Sequence, residues 1–142
     1  MLIRIIPEQI REKWEIVRPL IAETLPPVMR ISAVTMANVL KGLLLEKGQM
    51  WLLYGDEPNK PKAMIVTTFF KDQLSGTRAL VIYSLYAVDK LDEMDYIEGI
   101  AQLRKFAIET GCTDLIAYVA DDVFLKLLRR TGAEKITNLV RL

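Results

Sequence analysis

Apolar residues recur at two different spacings along this chain, and each spacing predicts one kind of secondary structure. Near the start they fall three or four residues apart, which aligns them on one face of a helix. The predicted helix follows Pro7, because a first turn does not use the N–H that proline lacks. Its apolar positions are Ile10, Trp14, Val17, Ile21 and Leu25. Pro19 is expected to kink or split this helix, and Pro26 with Pro27 to end it.

A second helix is predicted to start after Ser32, whose hydroxyl suits the N-cap position. Its inward-facing residues are expected to be Met36, Val39, Leu40, Leu43 and Leu44. Gly48 fits the stop at the far end, since glycine readily takes the left-handed conformation that closes many helices. Ahead of the first helix, Leu2–Ile6 is predicted to form a short strand.

From Gln49 the helical spacing gives way to runs of β-branched and aromatic residues separated by short polar turns. The runs are Met50–Tyr54, Lys62–Phe70 and Thr77–Val88. Short turns join antiparallel neighbours, so these runs predict an antiparallel meander. The last of them is apolar on both faces and is therefore expected at the centre of the sheet.

Helical spacing returns after a polar stretch. The inward face of this helix is expected to contain Ile97, Ile100, Ala101, Leu103, Ala107 and Ile108. Gly111 closes the helix, and Asp114–Ala120 follows as a buried strand. Because a helix separates this strand from the preceding one, the two strands are predicted to be parallel.

The remaining residues predict one more helix and one more strand. Asp121 suits the N-cap of the helix and Gly132 lies beyond its end. Its inward residues are expected to be Phe124, Leu127 and Leu128. Glu134–Leu142 is predicted to be the final strand. Without a repeat or linker, residues 1–142 are interpreted as a single domain.

Composition narrows the functions that this domain can have. With 19 basic and 18 acidic residues the net charge is +1, so no global field attracts nucleic acid or an anionic membrane. The absence of histidine and the single cysteine argue against a metal site, an internal disulfide and Ser-His-Asp or Cys-His catalysis within one chain. Cys112 is expected to be a small core residue. With neither a signal peptide nor a membrane span, a soluble cytoplasmic protein is expected.

Acidic residues crowd the stretch between the third apolar run and the helix after it. This stretch, Val88–Leu103, reads VDKLDEMDYIEGIAQL and is called the acidic junction below. Its acids are Asp89, Asp92, Glu93, Asp95 and Glu98, opposed within the stretch only by Lys90. One interpretation is that they stabilise the helix start on a solvated surface, with Asp92 and Asp95 in a capping arrangement. Recognition of a basic partner, a bound cation and an altered cofactor mode are the alternatives.

The order of elements resembles the GNAT N-acetyltransferase fold, over nearly the whole chain. Its best local match is RKFAIETGCTDLIAYVADDVFLKLLRRTGAEKI, which is similar to the family's run of helix, glycine, strand, short helix, glycine and strand. The resemblance implies an α/β (α+β) domain with a central mixed, mostly antiparallel sheet flanked by helices. It also implies acetyl-CoA as cofactor and an amine as acceptor. Family members hold the cofactor's pyrophosphate on a loop of the form Q/R-x-x-G-x-G/A at a helix start.

The loop positions implied by the resemblance fall on Leu91, Met94 and Tyr96, and all of them depart from the family pattern. The candidate cofactor-binding residues are Ala87, Val88, Met94, Asp95 and Tyr96. The candidate catalytic residues are Tyr83, Ser84, Tyr86 and Asp89. A tyrosine acid that many members carry on the last helix corresponds to Leu128 here. The position that should protonate a leaving thiolate is therefore apolar.

Two functions follow from these departures. The first is a non-catalytic module for assembly or protein interaction, similar to short, degenerate relatives of this fold in bacteriophage and prophage genomes. It needs no cofactor and acts in the cytoplasm, or in a virion if the chain is phage-derived. The second is a divergent acyl-CoA-dependent N-acyltransferase with an unknown amine acceptor. The family closes with two strands and this sequence stops after one, so the expected partner is a protein or a second copy at that strand edge.

Overall fold

Helices and strands follow one another in the computed structural model nearly as the sequence predicts. The structure describes residues 1–26, 31–119, 122–137 and 139–142. The elements are β1 (Leu2–Ile5), α1 (Pro7–Glu23), α2 (Ala33–Leu44), β2 (Gly48–Tyr54), β3 (Pro61–Lys71), β4 (Arg78–Ala87), α3 (Glu93–Glu109), β5 (Asp114–Ala117) and α4 (Asp122–Arg130).

The described strands form a five-stranded sheet in the order β1-β2-β3-β4-β5. β1, β2, β3 and β4 pair antiparallel with their neighbours, whereas β4 and β5 are parallel. The predicted meander, the parallel crossover and the mixed, mostly antiparallel α/β class are therefore confirmed. One detail is wrong: β3 lies at the centre of the sheet, and the apolar strand β4 lies one place further out. An apolar sequence indicates that both faces of a strand are buried. Any interior strand meets that condition, so the apolar sequence of β4 does not identify the central strand.

Helices cover both faces of the sheet. α1 and α2 pack on one face, where Ile10, Ile21 and Met36 join the side chains of the inner strands. α3 packs on the other face, where Leu80, Leu103 and the expected core residue Cys112 belong to one buried cluster. None of the described helices combines the length and the apolar composition that crossing a membrane requires.

The buried face of α3 is narrower than predicted. Leu103 and Ala107 are buried, and Gly99 and Asp95 continue the same line toward the helix start. These residues are four apart, so they form a single stripe along the helix. Of the other expected members, Ile97 and Ile108 are exposed, Ile108 to 75%. Ala101 is also exposed, and Ile100 is half-buried.

The ends of the helices confirm one predicted cap and correct another. Ser32 caps α2, because its Oγ accepts a hydrogen bond of 3.1 Å from the Thr35 amide. Gly48 does not stop α2, which ends at Leu44; Glu46 takes the left-handed conformation instead, with φ of 57°. α1 continues through Pro19 as one helix of 17 residues, so the predicted split does not occur.

Gly48 is a strand residue whose backbone runs very close to its neighbour. A Cβ at this position would lie 2.9 Å from the Thr67 carbonyl oxygen, which is backbone and cannot rotate away. We therefore expect Gly48→Ala to lower the free energy of unfolding by about 1–2 kcal/mol through overpacking. Urea denaturation measures this. Gly42→Ala is the control, since a Cβ there meets no atom within 4 Å, and an equal loss in both variants would contradict the prediction.

The described residues of the predicted final strand do not form a strand. Residues 133–137 and 139–142 form neither helix nor strand. Their composition suits a strand, but a strand forms only when a neighbouring strand pairs with it. Composition does not show whether such a neighbour is present. The predicted cap Asp121 lies outside the described residues, whereas Gly132 follows α4 as predicted, with φ of 93°.

Candidate functional site

The acidic junction forms the start of α3, where two of its acids cap each other. Asp92 is the N-cap residue, and its Oδ1 accepts a hydrogen bond of 2.9 Å from the Asp95 amide. In return, Asp95 Oδ2 accepts from the Asp92 amide at 2.9 Å. The Tyr96 amide donates to the Asp92 carbonyl oxygen at 3.4 Å. This is a capping box, so the interpretation of Asp92 and Asp95 as helix-start stabilisers is confirmed.

Lys62, at the start of β3, brings a second positive charge to the acidic junction, from a strand outside it. Its Nζ lies 2.6 Å from Asp95 Oδ2 in a partly buried ion pair. Burial alone would raise the pKa of Asp95, but hydrogen bonds from Lys62 and from the Asp92 amide outweigh it and hold that pKa below 3.8. The hydrogen bond to Asp95 holds the pKa of Lys62 above 10.5. Both groups are therefore charged throughout the neutral range.

β4 extends well past the point where β5 leaves it. Their pairing stops at Ile82 and Ala117, whereas β4 continues to Ala87. The next amide, that of Val88, donates to a carbonyl of β3. Because successive residues of a strand face opposite edges, the amide and carbonyl of Ala87 point to the β5 side. This stretch of edge, residues 83–87, is called the β4–β5 fork and leads to the start of α3.

A bulge in β4 brings three of the four catalytic candidates to one face of the sheet. The register against β3 shifts between Ile82 and Ser84, which leaves Tyr83 as the extra residue. Tyr83 and Tyr86 pack with the cluster under α1 and α2. The buried Ser84 hydroxyl makes a short hydrogen bond to the Thr24 hydroxyl at the end of α1.

The chemistry available to these candidates is limited. Burial raises the pKa of Tyr83, with a smaller contribution from Tyr118, so its hydroxyl stays protonated at neutral pH and can only donate a proton. Ser84 is engaged by Thr24. Asp89, the only carboxylate among the candidates, lies exposed beyond the strand, where its Oδ1 accepts from the Lys90 amide at 2.7 Å. The one carboxylate candidate, Asp89, therefore lies beyond the end of the strand that carries Tyr83 and Ser84.

A cavity of about 360 Å³ lies between α2 and the sheet and borders Tyr83. Its other walls include Val39, Leu43 and Thr68, and its lining is mostly apolar. Thr68 pairs with the first residue of β2, at the end of the sheet opposite Lys62. The cavity therefore belongs to the α2 side of the bulge and not to the acidic junction.

The five cofactor-binding candidates lie along the fork and the helix start but do not converge on one point. Ala87 ends β4 and Val88 is exposed just after it. Met94 is 67% exposed and points away from the core, whereas Asp95 is buried against Lys62. The Tyr96 ring packs on the Phe124 ring of α4, with centroids 5.6 Å apart. Within the described residues, no group of three acids or cysteines is arranged to hold a metal ion.

Sequence reasoning missed Lys62 and Thr24. Lys62 is the first residue of a predicted strand, next to a turn of mixed charge, and Thr24 lies at the end of a predicted helix, so neither has a local signal of function. Their partners Asp95 and Ser84 are 33 and 60 residues away in the chain. Only an expected pairing of β3 with β4 could have suggested that the first residues of β3 lie beside the acidic junction.

Comparison with known proteins supports the fold. No family model matches the sequence, and no curated protein matches it. Among solved structures, an aminoglycoside acetyltransferase from an uncultured soil metagenomic sample, in complex with sisomicin, superposes with a TM-score of 0.70 at 16% identity, covering 100% of this chain and 93% of that one. A predicted acetyltransferase from Clostridium acetobutylicum, with acetyl-CoA, gives 0.70 at 16% identity, covering 100% and 94%. An aminoglycoside 6'-N-acetyltransferase from Acinetobacter haemolyticus gives 0.67 at 17%, covering 100% and 96%.

The order of elements, the parallel β4–β5 pair and these superpositions define the class of fold. This chain has the GNAT N-acetyltransferase fold. At these identities the likeness concerns the fold alone, and the chemistry has to be argued from the residues of the site.

Proposed function

We propose that this protein has given up the acetyl-CoA chemistry of its fold and serves as a non-catalytic assembly or protein-interaction module. The proposal depends on one observation: two of the amides at the start of α3 donate to carboxylates of the same turn and are not free for a ligand. The Asp95 amide donates to Asp92, and the Asp92 amide donates to Asp95. A GNAT cofactor loop needs such amides for phosphate, because aligned helix-start amides attract anions.

The charges around this helix start do not fit a pyrophosphate either. Lys62 is already paired with Asp95, while Asp89, Asp92 and Glu93 add negative charge in exposed positions. At an effective dielectric constant of about 20, one like-charge pair about 6 Å apart costs about 3 kcal/mol before salt screening. Coenzyme A would meet several such pairs. The same surface favours a basic segment of a partner protein.

A second candidate, an N-acyltransferase, is favoured by the β4–β5 fork. The outward-facing backbone of Ala87 could pair with an extended amide-containing ligand, as an additional strand would. Tyr83, protonated at the bulge, is its best proton donor. This candidate has a donor without an identified base or phosphate site, and for that reason it ranks second.

Coenzyme A binding separates the two candidates. We expect no change in melting temperature with acetyl-CoA or CoA up to about 1 mM, because the acidic helix start repels both. A ligand with a Kd of about 10 µM would instead stabilise the fold by about 2.7 kcal/mol at that concentration, a shift of several degrees. The Clostridium acetobutylicum protein is a suitable positive control, since its structure contains acetyl-CoA.

A saturating shift with either compound would overturn the first candidate. In that case Asp95→Gly should tighten binding, because it removes a charge and a side chain from the helix-start amides. Glu109→Gly is the matched control at the far end of α3, and its affinity should not change. Equal affinities in all three proteins would place the cofactor away from the acidic junction.

A further inference from the structure

The side of α3 that faces away from the sheet carries apolar side chains. Met94 is 67% exposed, Ile97 43% and Ile108 75%, and Ala101 is exposed between them. Helical spacing puts these four residues on one side of α3, opposite the buried stripe that contains Leu103. They are called the outer stripe below. α3 therefore has one apolar stripe buried on the sheet and another that is open to solvent.

The outer stripe has the spacing of a seam between two packed helices. Met94, Ala101 and Ile108 recur every seven residues, and Ile97 lies three residues after Met94. Apolar residues alternating three and four apart are the pattern of helix pairing. The remaining seam position is Arg104, whose aliphatic stem can cover apolar surface while its guanidinium stays in water. The small side chain of Ala101 lets a facing helix approach closely.

The charges beside the outer stripe indicate which helix it fits. Glu98 and Lys105 follow the stripe along one flank, seven residues apart. Both are in exposed ion pairs: Glu98 Oε1 lies 2.9 Å from the Met1 ammonium, and Lys105 Nζ lies 3.9 Å from Glu109 Oε1. Such exposed pairs contribute little free energy and are readily exchanged. If two identical helices pack antiparallel along this seam, Glu98 of each helix faces Lys105 of the other.

We propose that a second copy of this chain packs its α3 antiparallel against the outer stripe. A two-fold axis between Ala101 and Arg104 would place Ile97 of each copy opposite Ile108 of the other, so both contacts form twice. The same helix face thus supplies an apolar stripe and the charges that complement it. This inference rests on the proposed function in that it names the partner of the interaction module. The surface is a helix face, distinct from the strand edge that the sequence suggested.

The expected dimer is weak. Each copy contributes one helix of 17 residues, and small interfaces of this kind belong to transient complexes. We expect a Kd of roughly 100 µM, equivalent to about 5–6 kcal/mol. The monomer therefore predominates at a few micromolar, and unfolding measured at such concentrations describes the monomer.

Sedimentation equilibrium at protein concentrations from about 1 to 500 µM measures the association. The average mass should rise from the monomer mass of 16.2 kDa towards twice that mass. Ile108→Lys should weaken dimerisation by about tenfold or more, because it places a charge in the seam. Ile16→Lys is the matched control, since Ile16 is 70% exposed on α1 and its replacement should leave the association unchanged.

Charge reversal tests the antiparallel pairing of the two copies. Glu98→Lys or Lys105→Glu alone sets like charges against each other at both ends of the interface, and each should weaken dimerisation by about threefold or more. The double variant, Glu98→Lys with Lys105→Glu, again sets opposite charges against each other and should recover the dimer. An α3 face that binds an unrelated partner predicts no such recovery.

Three outcomes would overturn the proposal. They are an intact chain that stays at the monomer mass throughout the series, equal weakening by Ile108→Lys and Ile16→Lys, and a double charge variant that associates no better than the single ones. Ile97→Lys, in the same stripe, replaces Ile108→Lys if that chain folds poorly. Coenzyme A binding would overturn the proposed function without changing the masses measured in its absence, so the two failures are distinguishable.

Discussion

Leu103→Ala is expected to lower the free energy of unfolding by about 3–4 kcal/mol, the largest single loss predicted for this chain. Leu103 is 1% exposed and lies in the cluster that joins α3 to the sheet, beside Leu80 and Ala107. Removing its side chain leaves a cavity that the β-sheet on one side and the helix backbone on the other cannot easily close. Chemical denaturation measures the loss, and the melting temperature should fall by roughly 10 °C.

Ile108→Ala is the control for this prediction. Both residues belong to the apolar pattern of the same helix, but Ile108 is 75% exposed. Its truncation should change the free energy of unfolding by less than about 0.5 kcal/mol. A loss from Ile108→Ala equal to that from Leu103→Ala would contradict the orientation of α3 on the sheet.

The second large effect is expected at the start of α3, where Asp95→Ala should cost about 2–3 kcal/mol. The substitution removes the acceptor of the Asp92 amide, a capping loss of about 1 kcal/mol, and leaves polar groups around it unsatisfied. It also removes the ion-pair partner of Lys62. Denaturation at neutral pH measures the effect, with Glu93→Ala as control, because Glu93 is exposed in the same turn and contributes about 0.3–1 kcal/mol through the helix dipole.

The pH dependence of Asp95→Asn tests the ion pair itself. The pKa of Asp95 is lowered by folding, so its charge stabilises the fold above 3.8 and that contribution is lost as pH falls through the lower folded value. The pKa of Lys62 is raised, so its contribution is present below 10.5 and lost as pH rises beyond it. The stability difference between wild type and Asp95→Asn should be constant between these limits and shrink outside them. A difference that already declines between pH 5 and 7 would contradict this assignment.

The parts of the fold that the sequence predicts are those with local causes. Ser32 caps α2 through a neighbour three residues away, and the Asp92–Asp95 capping box spans the same distance. Alternating and helical apolar spacing likewise locate the strands and helices. The error at the end of α2 arises because two nearby residues, Glu46 and Gly48, could each end the helix. The sequence around Gly48 resembles a helix end, but Glu46 takes the left-handed conformation there. Gly48 instead allows the backbones of β2 and β3 to approach closely.

In the candidate site, too, the sequence predicts the local features and the tertiary structure determines the rest. Tyr83, Ser84 and Tyr86 are polar residues on an apolar strand, a pattern visible in the sequence, but their shared face depends on a bulge. A bulge is a mismatch between two paired strands, and one strand's sequence does not specify it. Which apolar residues of α3 face the sheet is decided in the same way, by the docking of the helix and not by its composition.

By itself, the sequence determined the class of fold, the order and approximate limits of the elements from β1 to α4, and the unusual acidity of the helix start, because all of these follow from short-range spacing and composition. Only the tertiary structure decided that Lys62 neutralises Asp95, that Thr24 holds Ser84, and that β5 leaves β4 at Ile82. Those contacts join residues distant in the chain. Their free energy depends on burial and geometry that exist only after the sheet has formed.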